Sequence, residues 1–221
     1  MASRRVLVAI TGGSGAPYAT RLLEVLPEPP DLILSDAGRK VIELETGLTA
    51  RQVEARARRV YSNRDLAAPP ASGSHPFGAL VVIPCSGTTL AKIAHGIADN
   101  LVTRAAAVCL KEGRKLILVP RETPLSAVYL ENMQKLASLG VVILIAAPPW
   151  YIAPRSLDDF RNYMAGKVLD HLGIENHLFP RWKEGEEDRK EDATGPRRAG
   201  PAAPPRKPTR PRAAAPPRRA R

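Results

Sequence analysis

Short apolar runs recur along the chain, each closed by a polar, proline or glycine turn and followed by residues with helical spacing. The runs are Val6 to Ile10, the strand Asp31 to Leu34 (apolar from Leu32), Ala79 to Ile83, Leu116 to Val119 and Val141 to Ile145. Uninterrupted apolar stretches of this length predict strands covered on both faces, as in parallel sheets. Helical spacing follows from about Tyr18 to Leu26, Ala37 to Thr46, Leu90 to Gly96, Leu101 to Glu112 and Ser156 to Leu172. Another helix is predicted to run to about Leu139, with Thr123-Pro124 as its N-cap and first-turn proline. The alternation predicts an α/β protein: a Rossmann-like or flavodoxin-like doubly wound parallel sheet flanked by helices, with right-handed crossovers. Its polar turns would gather at the carboxyl edge, where such sheets bind ligands.

Two stretches break the alternation. Thr49 to Arg59 is polar with mixed charge and reads as a surface helix. Asn63 to Gly78, containing AAPPASGSHPFG, reads as a long loop without regular structure. Beyond Trp182 the pattern ends, in an acidic cluster from Glu184 to Asp192 and then a basic, proline-rich segment. From Ala193 onward there are nine Lys/Arg, eight prolines and no acid in 29 residues, without Ile, Leu, Val or an aromatic, so no core is available to order them. Removing that +9 from the formal +11 leaves +2 for residues 1–192, so the basic character belongs to the tail. The predicted organisation is one domain over 1–182 and a disordered tail over 183–221. Charge without interleaved aromatics supports only weak, salt-sensitive electrostatic contacts of that tail.

Composition narrows the chemistry further. Cys85 and Cys109 lack CxxC or Cys/His spacing, the four histidines show no HExxH, and no metal site is predicted. The apolar run after Arg5 stops at Thr11-Gly12, short for a secretory signal, and no run reaches the ~20 residues of a membrane span. A reduced, cytoplasmic protein without membrane contact is the expectation. Candidate chemistry collects at the strand ends. Thr11-Gly12-Gly13-Ser14-Gly15 lies between a strand and a helix start, where backbone approaches a phosphate and free N–H groups face it. The spacing is neither GxGxxG nor a P-loop; Asp36, about 20 residues further on, leaves a ribose contact of a nicotinamide dinucleotide open. Ser35, Ser86, Thr88 and Thr89 are placed either to cap helices or to touch a ligand. Arg121 and Glu122 follow Pro120 at the end of the fourth run, Arg104 and Lys111 share a helix face, and Glu45 reads as a solvated carboxylate.

Taken together, ITGGSGAPYATRLLEVL, LSDAGRKVIELET, PCSGTTLAKIAHGIADNLVTRAAAVCLKE, LILVPRETPLSAVYLENM and PPWYIAP closely resemble the UbiX-type flavin prenyltransferases, collinearly from about residue 5 to Trp182. The resemblance implies alkylation of reduced FMN at N5 by dimethylallyl monophosphate, closure of a fourth ring at C6, and delivery of the prenylated FMN to a UbiD-type decarboxylase. FMN is then a substrate, and no metal is required; the aspartate-rich DDxxD of diphosphate-using prenyl transfer is absent, Asp158-Asp159 being followed by Phe160-Arg161-Asn162. By matching position, Gly12, Gly13, Ser14, Ser35, Ser86, Gly87, Thr88, Thr89 and Arg121 would hold FMN. Arg104, Lys111, Tyr151 and Lys167 would hold the prenyl phosphate, with Lys111 also counted among the catalytic groups. Glu45 would be a proton partner of the leaving phosphate, Glu122 the acid/base at the flavin, and Ser14 would also orient the flavin. Trp182 or Trp150 would offer a π face to the allylic cation. The family further implies a homo-oligomer, often a dodecamer of trimers, with sites at subunit contacts. Departures are Gly13 for a common alanine, Lys167 for arginine, Trp150 for phenylalanine, Ile152-Ala153 for a more polar pair, and the tail. Two other readings stay open: a flavin-dependent cysteine decarboxylase of a related family, and a non-catalytic flavin-binding module.

Overall fold

The structure, a computed structural model, describes residues 5–182; the tail expectation, at 183–221, lies outside the described residues. Six strands form one sheet: β1 (Val6–Ile10), β2 (Asp31–Leu34), β3 (Arg59–Ser62), β4 (Ala79–Cys85), β5 (Lys115–Pro120) and β6 (Val142–Ile143). All pairings are parallel, in the order β3-β2-β1-β4-β5-β6. The order reverses between β1 and β4, and that is the topological switch point of a doubly wound sheet. Among the described residues seven helices cover the sheet: α1 (Ala16–Val25), α2 (Asp36–Thr46), α3 (Ala50–Glu54), α4 (Gly87–Ala94), α5 (Leu101–Lys111), α6 (Ala127–Ser138) and α7 (Leu157–Leu172).

Strand alternation divides the apolar runs between two cores. Leu7, Ala9, Leu80, Val82, Leu116 and Leu118 face α4, α5 and α6, while Val8, Ile10, Val81, Ile83, Ile117 and Val119 face α1, α2, α3 and α7. With both faces covered, the strands need apolar residues at every position, and this is why the runs are continuous.

Three expectations are corrected. The surface helix over Thr49 to Arg59 shrinks to α3, and the edge strand β3 follows; only Tyr61 of that strand is buried, so its sequence lacks an apolar run. The strand over Val141 to Ile145 keeps only Val142–Ile143, although Leu144 N–H still donates to Leu118 O at 2.8 Å and Ala146 N–H to Pro120 O at 2.9 Å. The helix expected to open at Thr123-Pro124 starts instead at Ala127, because Ser126 Oγ caps it by accepting from Tyr129 N–H at 3.2 Å. The loop over Asn63 to Gly78 carries one 3-10 turn, Pro69–Ala71, and is docked by Phe77 and by Arg114, whose guanidinium donates to the carbonyls of Gly73 and His75.

Candidate functional site

The switch point is stapled by a residue that the sequence reading did not single out. Thr11, 3% exposed, donates its hydroxyl to Pro84 O at 2.8 Å and accepts from Ser86 N–H at 2.8 Å, tying the turn after β1 to the turn after β4. The only signal in sequence was a hydroxyl placed directly after an apolar run. Gly12 packs on the first turn of α2, where an added Cβ would stand 2.6 Å from Ala37 Cβ, and Gly13 lies against the Cys85 carbonyl. Ser35 Oγ accepts from Gly38 N–H at 3.0 Å, and Ser86 Oγ accepts from Thr89 N–H at 3.3 Å and shares a 2.9 Å bond with Thr89 Oγ1. Both serines therefore cap helices, α2 and α4. Asp36 is exposed and ion-paired with Arg64.

A cavity of about 840 Å³ opens beside this edge, lined among others by Ser14, Tyr18, Glu45, Arg121, Phe160 and Arg161. Glu45 is not merely solvated. Its Oε2 accepts from Gly15 N–H at 2.8 Å and Ala16 N–H at 2.9 Å, so a carboxylate occupies the start of α1 where free N–H groups were expected. The positive end of the helix favours that negative charge. Gly15 reaches this geometry at φ 120°, a region that side chains avoid. Tyr18, also unforeseen, has its phenol pKa raised by burial first, with Arg121 opposing and Glu45 adding to the shift.

At the end of β5, Arg121 and Glu122 are exposed, and Glu122 Oε1 accepts from Thr123 N–H at 3.2 Å. Beneath them lies Tyr129, whose ring would be 2.8 Å from a Cβ on Gly87. Burial raises its pKa to about 12, with Cys85 and Glu122 adding and Arg121 opposing, so the turns after β4 and β5 meet around one phenol. Gly87 is needed there because any side chain would strike that ring.

The proposed phosphate ligands fall into two groups. Tyr151 sits in a 3-10 turn, Trp150–Ile152, followed by Ala153 in the left-handed region at φ 47°. It meets Tyr163 edge-on at 6.4 Å and Trp182 at 5.1 Å between centroids, while Trp150 pairs with Phe160 at 5.8 Å. Lys167, one turn beyond Tyr163 on α7, reaches Asp170 at 3.6 Å. Arg104 and Lys111 belong to α5, across the sheet from α7; Arg104 Nε donates to Ala71 O at 3.0 Å and Lys111 pairs with Glu112. One chain thus brings together Ser14, Glu45 and Arg121, and Tyr151 with Trp182, but keeps Arg104 and Lys111 apart from Tyr151 and Lys167. Among the described residues no cluster of three or more His, Cys, Asp or Glu stands ready for a metal, and no helix is long and apolar enough to cross a membrane.

Comparison with known proteins gives a consistent picture. The family model described as Flavoprotein matches residues 1–165. A flavin prenyltransferase UbiX of Methanocaldococcus jannaschii is 44% identical over 180 residues, covering 80% of this chain and 98% of the relative. Among solved structures, a dodecameric FMN-dependent UbiX-like decarboxylase of Escherichia coli O157:H7 superposes with TM-score 0.79 at 43% identity, covering 81% of this chain and all of the other. A structure of AnUbiX (PadA1) in complex with FMN and dimethylallyl pyrophosphate superposes with TM-score 0.80 at 38% identity, covering 82% and 98%.

Proposed function

The chain belongs to the flavoprotein family, among its flavin prenyltransferases, and on that premise we propose that it transfers a dimethylallyl group from dimethylallyl monophosphate to N5 and C6 of reduced FMN. The observation that carries the reading is the cavity beside the turn after β1, where Ser14, Glu45 and Arg121, assigned from separate blocks of sequence, line one space. That space offers a flavin a guanidinium in Arg121 and ring faces in Tyr18 and Phe160. Reduced FMN, when bound, supplies the two nucleophilic positions.

The chain's residues do the rest. In this reading the turns Gly12 to Ser14 and Ser86 to Thr89, with Ser35 and Arg121, hold the flavin, and Ser14 orients it. Glu122 moves the proton at the flavin edge during ring closure, a task for a group beside the reacting atoms. Glu45 spends Oε2 on two backbone amides, so the role of proton partner to the leaving phosphate falls to Oε1. Fixed cations neutralise that phosphate: Arg104, Lys111 and Lys167, with the Tyr151 hydroxyl as a further donor. Because α5 and α7 lie on opposite faces, these ligands converge only where copies of the chain meet, in line with the dodecameric relative. Trp182, seated on Tyr151, is the better placed π face for the allylic group; Trp150 is turned to Phe160.

The prenyltransferase domain in this reading is 1–182, the product passes to a UbiD-type decarboxylase in the cytoplasm, and the tail over 183–221 makes electrostatic contacts. The deciding experiment is mass spectrometry of the flavin after anaerobic incubation with reduced FMN and dimethylallyl monophosphate, with the diphosphate ester in parallel. A gain of one five-carbon unit is expected with the monophosphate. Unmodified FMN with both donors would refute the assignment.

A further inference from the structure

The residues after α7 double back along it. Gly173, at φ 72°, ends the helix and reverses the chain. Asn176 Nδ2 then donates to Asp170 Oδ1 at 2.9 Å and to Gly166 O at 3.3 Å. Phe179 packs edge-on to Tyr163 at 4.7 Å and lies directly over Gly166, where an added Cβ would be 2.6 Å from its ring. Arg181 lies over the Phe179 ring at 4.4 Å and binds Asp170 through both guanidinium ends, at 2.6 and 2.8 Å. Trp182 follows at once and meets Tyr151.

Asp170 therefore stands at the centre of this cluster, itself outside the residues proposed to touch the donor. Its carboxylate is held from three sides, by Arg181, Asn176 and Lys167. Planar two-point pairing with a guanidinium fixes orientation as well as distance. A compact ammonium 3.6 Å away is held more loosely and stays free to turn toward a second anion.

We propose that Asp170 is a positioning residue for the prenyl donor: by clamping Arg181 it seats Trp182 against Tyr151, and by sharing its charge with Lys167 it holds that lysine beside the same aromatic wall. The carboxyl pKa is depressed, chiefly by the Arg181 bond and then by Asn176 and Lys167, so the clamp is ionised at neutral pH. The inference rests on the prenyl-transfer reading for the identity of the ligand, not for the clamp itself.

The test uses the full chain with Trp150→Phe, so that Trp182 is the remaining tryptophan emitter. Asp170→Asn should lower the fluorescence anisotropy of Trp182 and raise KM for dimethylallyl monophosphate by about tenfold, the scale of a lost charge-assisted bond, while FMN affinity stays unchanged. Arg181→Met should lower the anisotropy equally, and the double variant should lose no more than either single one. If Asp170→Asn does not fold, Arg181→Met alone carries the test. Unchanged Trp182 anisotropy in a folded variant overturns the clamp; lowered anisotropy with unchanged KM overturns its role toward the donor. A parent protein that makes no prenylated flavin overturns the functional reading instead, and the anisotropy result still decides the clamp.

Discussion

Glu122 is exposed at the end of β5, and the hydrogen bond described for its carboxylate is to the amide of the next residue, so no ion pair described in the fold depends on its charge. That separates chemistry from stability at this position. Glu122→Gln keeps the size and the Thr123 contact but removes the titrating proton. Prenylated flavin formation should fall by about a hundredfold, the usual scale for a lost general acid/base, with FMN titrations and thermal melts unchanged. Turnover within a few-fold of the parent would take Glu122 out of the mechanism. The neighbouring groups differ in how far they were legible. Ser35 and Ser86 read as caps or ligands, and both cap their helices, because the free amides of α2 and α4 lie three residues on. Glu45 could not be read at all from its surroundings in sequence, since the amides it binds are 29 and 30 residues away. Tyr18 and Thr11 were missed for the same reason.

At the scale of elements, the buried strands were legible because each is covered on both faces and carries an apolar run unbroken apart from a charged first residue in β2 and β5. β3 escaped because it lies at an edge of the sheet and buries one residue in four, and β6, at the other edge, was legible as a strand but reaches only two of the five residues expected. The glycine turn shows a subtler limit. Its composition marked a ligand-binding loop, yet Gly12 also answers to a packing demand: the start of α2 presses on it through Ala37. Gly12→Ala would drive two methyl groups to 2.6 Å, and either the turn or α2 must move. Overpacking of this kind costs about 1–3 kcal/mol, so a lowered melting temperature is expected together with at least about tenfold weaker FMN binding. Calorimetric titration alongside a thermal melt checks both, and full FMN affinity at lowered stability would make the glycine a packing residue alone.

At the scale of the molecule, the sheet is a wall. Helices α5 and α7 pack against opposite faces of it, and no side-chain motion carries Arg104 or Lys111 through to Lys167 and Tyr151. The sequence places all four on helices or turns but is silent about which face each helix takes, because right-handed crossovers send helices to either side according to strand order. Either the two groups serve different ligands, or each site borrows one group from a second copy. The two alternatives differ in what mixed assemblies can do. Lys111→Met and Lys167→Met should each be nearly inactive alone if both hold the same phosphate, since it loses a charge-assisted contact in either variant. In oligomers refolded or co-expressed from equal amounts of both, a borrowed group leaves about a quarter of the sites with both lysines intact, and activity should return to that share. Within a single chain no site of the mixture would ever hold both. Mixed oligomers as inactive as their parents, in an assembly shown by mass to contain both chains, would place the prenyl phosphate entirely within one copy.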